Sequence, residues 1–117
     1  MRHRKINMEL SEIIRRALVV RDRYEELEKD RYGKAWTGEQ LMQGFVGDVG
    51  DLAKLVMVKN GYRAIDGVDS KLAHELADCL WSVLVLANVY DIDIEQAFLR
   101  TMDDLEKQIA NDRHYSQ

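Results

Sequence analysis

Residues 76–90 read LADCLWSVLVLANVY, and 12 of these 15 side chains are apolar. Asp78, Ser82 and Asn88 are the interruptions, so a helix formed here has no polar stripe to turn toward solvent. A helix that spans a bilayer needs about 20 apolar residues, whereas this run is shorter and has an aspartate near its start. We therefore expect a helix that is buried on nearly all sides in a protein core, and not in a membrane.

Outward from this run, the whole chain has the pattern of an all-α protein. It contains no proline and only seven glycines, which argues against a β-rich fold. Apolar spacing and capping signals predict four helices, at about 8–31, 37–60, 70–90 and 93–112. Thr37 followed by Gln40 is a capping box for the second helix. On the first helix, we place Arg21 and Glu28 among the charged residues of the outward face.

The expected architecture is a four-helix bundle in which a single chain does not bury the whole apolar surface of the third helix. At 117 residues the chain is expected to form a single domain, 1–117. A monomeric four-helix bundle buries one stripe of each helix, but the third helix here needs cover around most of its circumference. We therefore expect a homo-oligomer, either a dimer or a tetramer.

Composition narrows the setting and the partners. The net charge of −4 is spread along the chain without a basic stripe, so duplex nucleic acid is not an expected partner. The single cysteine, Cys79, excludes an internal disulfide, and no run of basic and then apolar residues opens the chain as a secretory signal would. We expect a reducing, cytoplasmic setting.

Two pairs of acids carry the chemistry. Asp48 and Asp51 are three residues apart in the second helix, and Glu75 and Asp78 repeat that spacing in the third. Residues at i and i+3 point to the same side of a helix, so each pair could grip one cation. Single pairs of this kind are usually solvated, but two pairs on successive apolar helices favour a site.

The type of ligand predicts the metal. Carboxylate oxygens favour Mg²⁺, with Mn²⁺ possible, whereas zinc would call for histidine or cysteine. We expect His74 and Cys79 to be poorly placed for the site. A di-iron bundle would need a glutamate followed three residues later by histidine, and no such pair occurs in the sequence.

The motifs around these acids resemble those of the MazG-like nucleotide pyrophosphohydrolases. Residues 47–53 (GDVGDLA) resemble the acid-x-x-acid helix of that family, and residues 74–81 (HELADCLW) contain its Glu-x-x-Asp motif. Residues 90–98 (YDIDIEQAF) look like the entry into its last helix, so the likeness covers about 36–102. It implies the all-α MazG fold and a metal held by four acids, Asp48, Asp51, Glu75 and Asp78.

The resemblance further implies hydrolysis of a nucleoside triphosphate to a nucleoside monophosphate and pyrophosphate. The four acids would hold the cation, and one of them, or Glu39, would act as the general base. Relatives usually have glutamate at both positions of the first motif, where this chain has the shorter aspartate. A lysine and an asparagine that help relatives bind nucleotide are absent from residues 101–105 (TMDDL).

Substrate contacts are therefore expected from elsewhere in the chain. Lys54, Lys59 and Arg63 are candidates for phosphate contacts, although solvated surface charge is the alternative. Trp36 is a candidate for stacking on the base, or for plugging the end of the bundle. Two other functions stay open: a nucleotide-binding module that has lost catalysis, and a purely structural helical oligomer.

Three glycines in the second helix, Gly44, Gly47 and Gly50, recur every three residues. Each costs about 1 kcal/mol of helix stability relative to alanine. We interpret them as points where a neighbouring helix approaches closely, and the alternative is room for a flat nucleobase beside the acids.

Overall fold

A computed structural model describes residues 8–61 and 65–116 of the chain. Within these ranges the chain forms four helices and no strand, which confirms the predicted all-α class. In chain order the helices are α1 (Leu10–Tyr32), α2 (Gly38–Lys59), α3 (Val68–Val89) and α4 (Ile94–Ser116). Compared with the prediction, α3 begins at 68 instead of 70 and α4 ends at 116 instead of 112.

Local capping sets the connection between α1 and α2. α1 stops at Gly33, which adopts the left-handed conformation at φ 83° and donates its N–H to the carbonyl of Lys29 at 2.9 Å. The predicted capping box then opens α2: Gln40 donates its backbone N–H to Thr37 Oγ1, and its side chain accepts from the Thr37 N–H. Because the end of α1 and the start of α2 are so close in the chain, the chain reverses direction sharply between them.

A second local motif directs α4. Asp91 follows α3 in the left-handed region at φ 58°, and Ile92 donates its N–H to the carbonyl of Ala87 at 2.8 Å, as in a Schellman turn. Asp93 then caps α4 by accepting a hydrogen bond from the N–H of Gln96 at 3.1 Å. The direction in which α4 leaves α3 is therefore fixed by backbone geometry.

The packing centres on α3. α2 and α3 form an antiparallel pair, since Lys59 at the end of α2 lies 2.6 Å from Asp69 at the start of α3. At the other end, a methyl group added to Gly38 would meet the ring of Tyr90. α1 packs on α3, where the Trp81 indole N–H donates to the carbonyl of Ala17 at 3.1 Å.

α4 lies largely apart from the other three helices. Interhelix packing in the described part of the chain is dominated by α2 on α3 and α1 on α3. The radius of gyration is 18.1 Å, whereas a compact domain of this length has about 13 Å. A stripe of apolar side chains on α4 consequently faces outward; we call it the α4 stripe, and its members are Phe98, Met102, Leu105 and Ile109.

The expectation that α3 is buried on nearly all sides is wrong for the single chain. Leu76 and Leu80 are 53% and 52% exposed, because α1 and α2 cover only part of the helix. By length and hydropathy alone α3 could cross a membrane, a test that core helices of soluble proteins also pass. The run that decides the fold is thus half covered within one copy.

The placement of Arg21 and Glu28 on the outward face of α1 is also wrong. They are 5% and 7% exposed, and their side chains form a two-pronged ion pair with N–O distances of 2.9 and 3.0 Å. Successive spacings of four, three and four residues separate Ala17, Arg21, Tyr24 and Glu28. These spacings place all four residues on one side of the helix. Charge was thus a misleading guide to exposure here.

The glycines of α2 are not points of close approach within the chain. A methyl group added at Gly47 or Gly50 would meet nothing within 4 Å in the described structure. At Gly44 it would lie 4.0 Å from the ring of Trp36, which is ordinary contact. The packing interpretation is therefore wrong for Gly47 and Gly50 inside one copy, and this side of α2 is open.

We expect Gly47→Ala to raise the free energy of unfolding by about 1 kcal/mol, because alanine gains helix propensity and finds free space. Urea unfolding of both proteins measures the change. Gly33→Ala is the matched control of opposite sign, since alanine is strained at the positive φ of that position. A loss of stability in Gly47→Ala would show that another surface packs against this side of α2.

Candidate metal centre

The antiparallel pairing of α2 and α3 brings the four predicted acids together. One carboxylate oxygen from each of Asp48, Asp51 and Glu75 lies within 4.8 Å of the others, so a single ion could contact all three. Asp48, Glu75 and Asp78 are half-buried, and Asp51 is exposed. The i, i+3 spacing on each helix turns both pairs toward the space between α2 and α3. Asp78 belongs to a second group, with Glu75 and His74, so Glu75 joins the two groups.

Crowding of negative charge changes the proton affinity of this cluster. The pKa of Asp48 is raised, chiefly by burial and then by the charges of Asp78 and Asp51. The pKa of Glu75 is also raised, by burial first and then by the charges of the other three acids. Without a cation the cluster therefore favours partial protonation, and a divalent cation would relieve the same repulsion.

Glu75 gives a direct indication that the centre fits a metal. Its Oε2 atom is shielded from solvent and accepts no hydrogen bond from any residue in the described ranges. A shielded carboxylate oxygen without a donor is costly, and a hard cation is the partner that supplies the missing interaction. The donor set that Asp48, Asp51 and Glu75 offer is all oxygen, which fits Mg²⁺ or Mn²⁺.

The expectation that His74 is poorly placed is wrong. Its Nε2 lies 3.1 Å from Asp78 Oδ2, and His74, Glu75 and Asp78 offer ligand atoms within 4.8 Å of one another. His74 precedes Asp78 by one helical turn, so the contact follows from helix geometry. The same acids affect Cys79. The pKa of its thiol is raised, first by burial and then by the charges of Asp48, Glu75 and Asp78.

A cavity of about 590 Å³ opens beside the acids, between α1, the start of α2 and the middle of α3. This is within the range for a small-molecule site. Asp48 and Asp78 lie at one end, and the walls are mainly aromatic and aliphatic with two arginines. The wall includes Arg21, Tyr24, Glu28, Arg31, Trp36 and Trp81. We call this space the α1 cavity.

The residues that sequence reasoning chose for substrate contacts are placed unequally. Trp36 lines the α1 cavity, and its contact with a base stays a prediction. Lys59 is instead joined to Asp69 at 2.6 Å, and Lys54 is exposed on α2 outside the residues that line the cavity. Arg63 lies outside the described residues. Glu39 is exposed in the first turn of α2 and does not line the cavity either.

The cationic wall that the sequence analysis missed comes from α1. Arg31 and the Arg21–Glu28 pair line the α1 cavity, with Tyr24 between them. Their periodicity could have been read from the sequence, since Arg21 and Glu28 fall on the same side as the apolar Ala17 and Tyr24.

Comparison with family models identifies the chain. The model of the MazG nucleotide pyrophosphohydrolase domain matches residues 36–113, two thirds of the sequence. The chain belongs to the MazG family. The matched segment contains both acidic pairs and all of α2 and α3, whereas α1 precedes it. In this MazG chain the α1 cavity is thus built half from the matched segment and half from a helix outside it.

A search of curated proteins and a search of solved structures found no match to the chain. The family assignment therefore rests on the MazG domain match, and the helical structure agrees with it.

Because the pKa values of Asp48 and Glu75 are raised in the folded chain, the metal-free protein should lose stability as pH rises through and beyond the ordinary carboxyl range. Magnesium should offset this loss, since it competes with protons for the same oxygens. We expect the Mg²⁺-induced rise in melting temperature to be larger at about pH 8 than at about pH 5. Differential scanning calorimetry at constant ionic strength, with a sodium control, measures it. An equal or smaller rise at the higher pH would contradict the coupling.

Proposed function

We propose that this MazG chain is a Mg²⁺-dependent nucleoside triphosphate pyrophosphohydrolase that releases a nucleoside monophosphate and pyrophosphate. The observation that carries the proposal is the cluster of Asp48, Asp51 and Glu75, with Asp78 beside Glu75, next to a cavity large enough for a nucleoside that Asp48 and Asp78 line. Family membership supports nucleotide pyrophosphate chemistry in general.

The four acids are assigned two roles, binding of the metal and activation of water. Asp48, Asp51, Glu75 and Asp78 hold Mg²⁺, with Mn²⁺ as an acceptable substitute. A bound cation would supply neutralisation of the triphosphate charge and acidification of the water whose attack on the α-phosphorus releases pyrophosphate. One of the four acids orients that water and accepts its proton.

The α1 cavity receives the nucleoside. Trp36 and Tyr24 offer flat faces for stacking on the base. Arg31, also in the cavity wall, supplies a positive charge close to where phosphates would enter. Lys54, Lys59 and Arg63 remain further candidates for phosphate contacts from α2 and the segment after it.

A panel of canonical and modified nucleoside triphosphates, assayed for pyrophosphate release with Mg²⁺ and with Mn²⁺, tests the proposal. Cleavage of at least one member to monophosphate and pyrophosphate is the expected result. The shorter aspartates of the first motif motivate the alternative of a binding protein without turnover. Nucleotide binding by calorimetry with no cleavage would favour that alternative, and neither binding nor a magnesium response would favour a structural oligomer.

The working form is proposed to be a homo-oligomer, a dimer or a tetramer. α2 also exposes a row of apolar side chains at helical spacing, and we call it the α2 stripe: Met42, Val46, Val49 and Val56. Leu76 and Leu80 on α3 are exposed in the same way. The α4 stripe has the four-three-four spacing that packs against such rows, so a second copy supplies the cover that one chain lacks.

The proposed setting follows from composition. A dispersed net charge of −4 and a single cysteine are compatible with a cytoplasmic protein that acts on free nucleotides, without duplex nucleic acid or membrane as a partner.

A further inference from the structure

The buried ion pair on α1 is not needed to hold α1 on α3. Arg21 and Glu28 are two turns apart on the same helix, so their mutual contact adds no link between elements. A buried ion pair is also weak evidence of stabilisation, because an apolar pair of similar volume is often at least as stable. The position of the pair in the wall of the α1 cavity needs another explanation.

Outside α1, the hydrogen bonds of the pair within the described residues go to one residue, Trp36. The Trp36 N–H donates to Glu28 Oε1 at 2.7 Å, and Arg21 Nη2 donates to the Trp36 carbonyl at 3.5 Å. Both backbone polar groups of Trp36 are thus held by α1. Trp36 immediately precedes Thr37, the N-cap of α2, so the pair fixes the residue from which α2 starts.

The charges of the pair suit this contact. Burial alone would raise the pKa of Glu28, but the hydrogen bonds from Arg21 and the Trp36 N–H, together with the charge of Arg21, outweigh it and lower the pKa. Glu28 is thus held as a carboxylate, the form that accepts hydrogen bonds most strongly.

The side chain of Trp36 is not fixed by burial. The residue is 43% exposed, and its ring lies along α2 near Gly44, one turn before Asp48. It forms a wall both of the α1 cavity and of a smaller cavity that also reaches Asp48. An exposed indole beside the acids needs a fixed backbone if its face is to present the same surface to every substrate.

We propose that Arg21 and Glu28 are a positioning pair that clamps the backbone of Trp36, so that α1 sets the shape of the nucleoside subsite without touching the metal. This inference rests on the proposed function for its substrate and on the described geometry for its mechanism. The chemical class of ligand is a nucleoside whose base lies against the Trp36 ring.

The test replaces the pair with apolar residues, Arg21→Met/Glu28→Leu, so that no buried charge is left unpaired. Fluorescence is compared in a Trp81→Phe background, where Trp36 is the sole tryptophan. KM is compared in chains that keep Trp81, because Trp81 lines the α1 cavity and its indole N–H donates to Ala17. Without ligand, we expect acrylamide quenching of Trp36 fluorescence to rise about two-fold and its near-ultraviolet circular dichroism to weaken. With substrate, we expect KM to rise about ten-fold and kcat to change less than three-fold, while the Mg²⁺-induced melting shift is kept.

Arg23→Met/Glu26→Leu is the matched control, because both residues are exposed on the same helix and undergo the same chemical change. It should leave Trp36 fluorescence and KM unchanged. If the first variant does not fold, Arg21→Met/Glu28→Met replaces it, since methionine adapts to irregular space. A folded variant with unchanged Trp36 fluorescence and unchanged KM would overturn the proposal.

The two arms separate this inference from the proposed function. The fluorescence arm needs no turnover, so release of Trp36 in a protein that cleaves no nucleotide supports the clamp while the enzyme proposal fails. If the protein cleaves nucleotides and the substitutions leave Trp36 fluorescence unaltered, the enzyme proposal is supported and the clamp fails.

Discussion

Asp78→Asn should abolish pyrophosphate release and the stabilisation by magnesium together. The substitution keeps the size of the side chain but removes one charge from the acidic cluster that is proposed to hold the cation. Loss of residues that only orient a metal ligand costs about 10- to 100-fold, so loss of a ligand should lower kcat/KM by at least about 100-fold. Initial rates with the best substrate and the melting shift with Mg²⁺ measure the two effects.

The matched control is Asp69→Asn, the same chemical change in the first turn of the same helix. Asp69 pairs with Lys59 at the surface, and such exposed pairs contribute little to stability. It should retain activity within about two-fold and keep the full magnesium response. Asp78→Asn with near-normal turnover would remove Asp78 from the metal centre and the proposed mechanism with it.

The second large effect concerns assembly. Leu105→Glu places a charge in the middle of the α4 stripe, where the proposed second copy would bury it. Burying an unpaired carboxylate costs several kcal/mol, so the dissociation constant should rise by at least about 100-fold. Light scattering on a size-exclusion column should show the mass falling to that of one chain, 13.6 kDa.

Gln96→Glu adds the same charge nine residues earlier, on the opposite side of α4. It should leave the mass unchanged. Leu105 is 45% exposed in one chain, so its substitution should not unfold an isolated copy. If Leu105→Glu keeps the assembled mass, or if the unaltered protein is monomeric at all concentrations, the α4 stripe is not the interface.

The helices and the acidic centre were accessible from sequence because they depend on local periodicity. The i, i+3 acids needed only the correct helix assignment and the antiparallel pairing of α2 with α3 to converge. Thr37 and Gln40 formed the expected capping box for the same reason. Residue spacing in the sequence predicts interactions within one helix and between segments that are neighbours in the chain.

The errors arose where a second element decided the outcome. Arg21 and Glu28 were assigned to solvent from their charge, but each satisfies the other and both bind the backbone of Trp36. His74 is a different case, because its contact with Asp78 lies within α3 at a spacing of four and follows from the sequence alone. The exposure of α3 could not be derived from its apolar pattern, since α1 and α2 cover only part of the helix in the described chain.

The Schellman turn at Asp91 directs α4 away from the other three helices, and the apolar α4 stripe stays exposed in the described part of one copy. The proposed assembly would cover this surface. When folding is completed by association, the unfolding equilibrium includes protein concentration, and the melting temperature rises with it. Each copy of the protein then acts as a stabilising ligand for another copy.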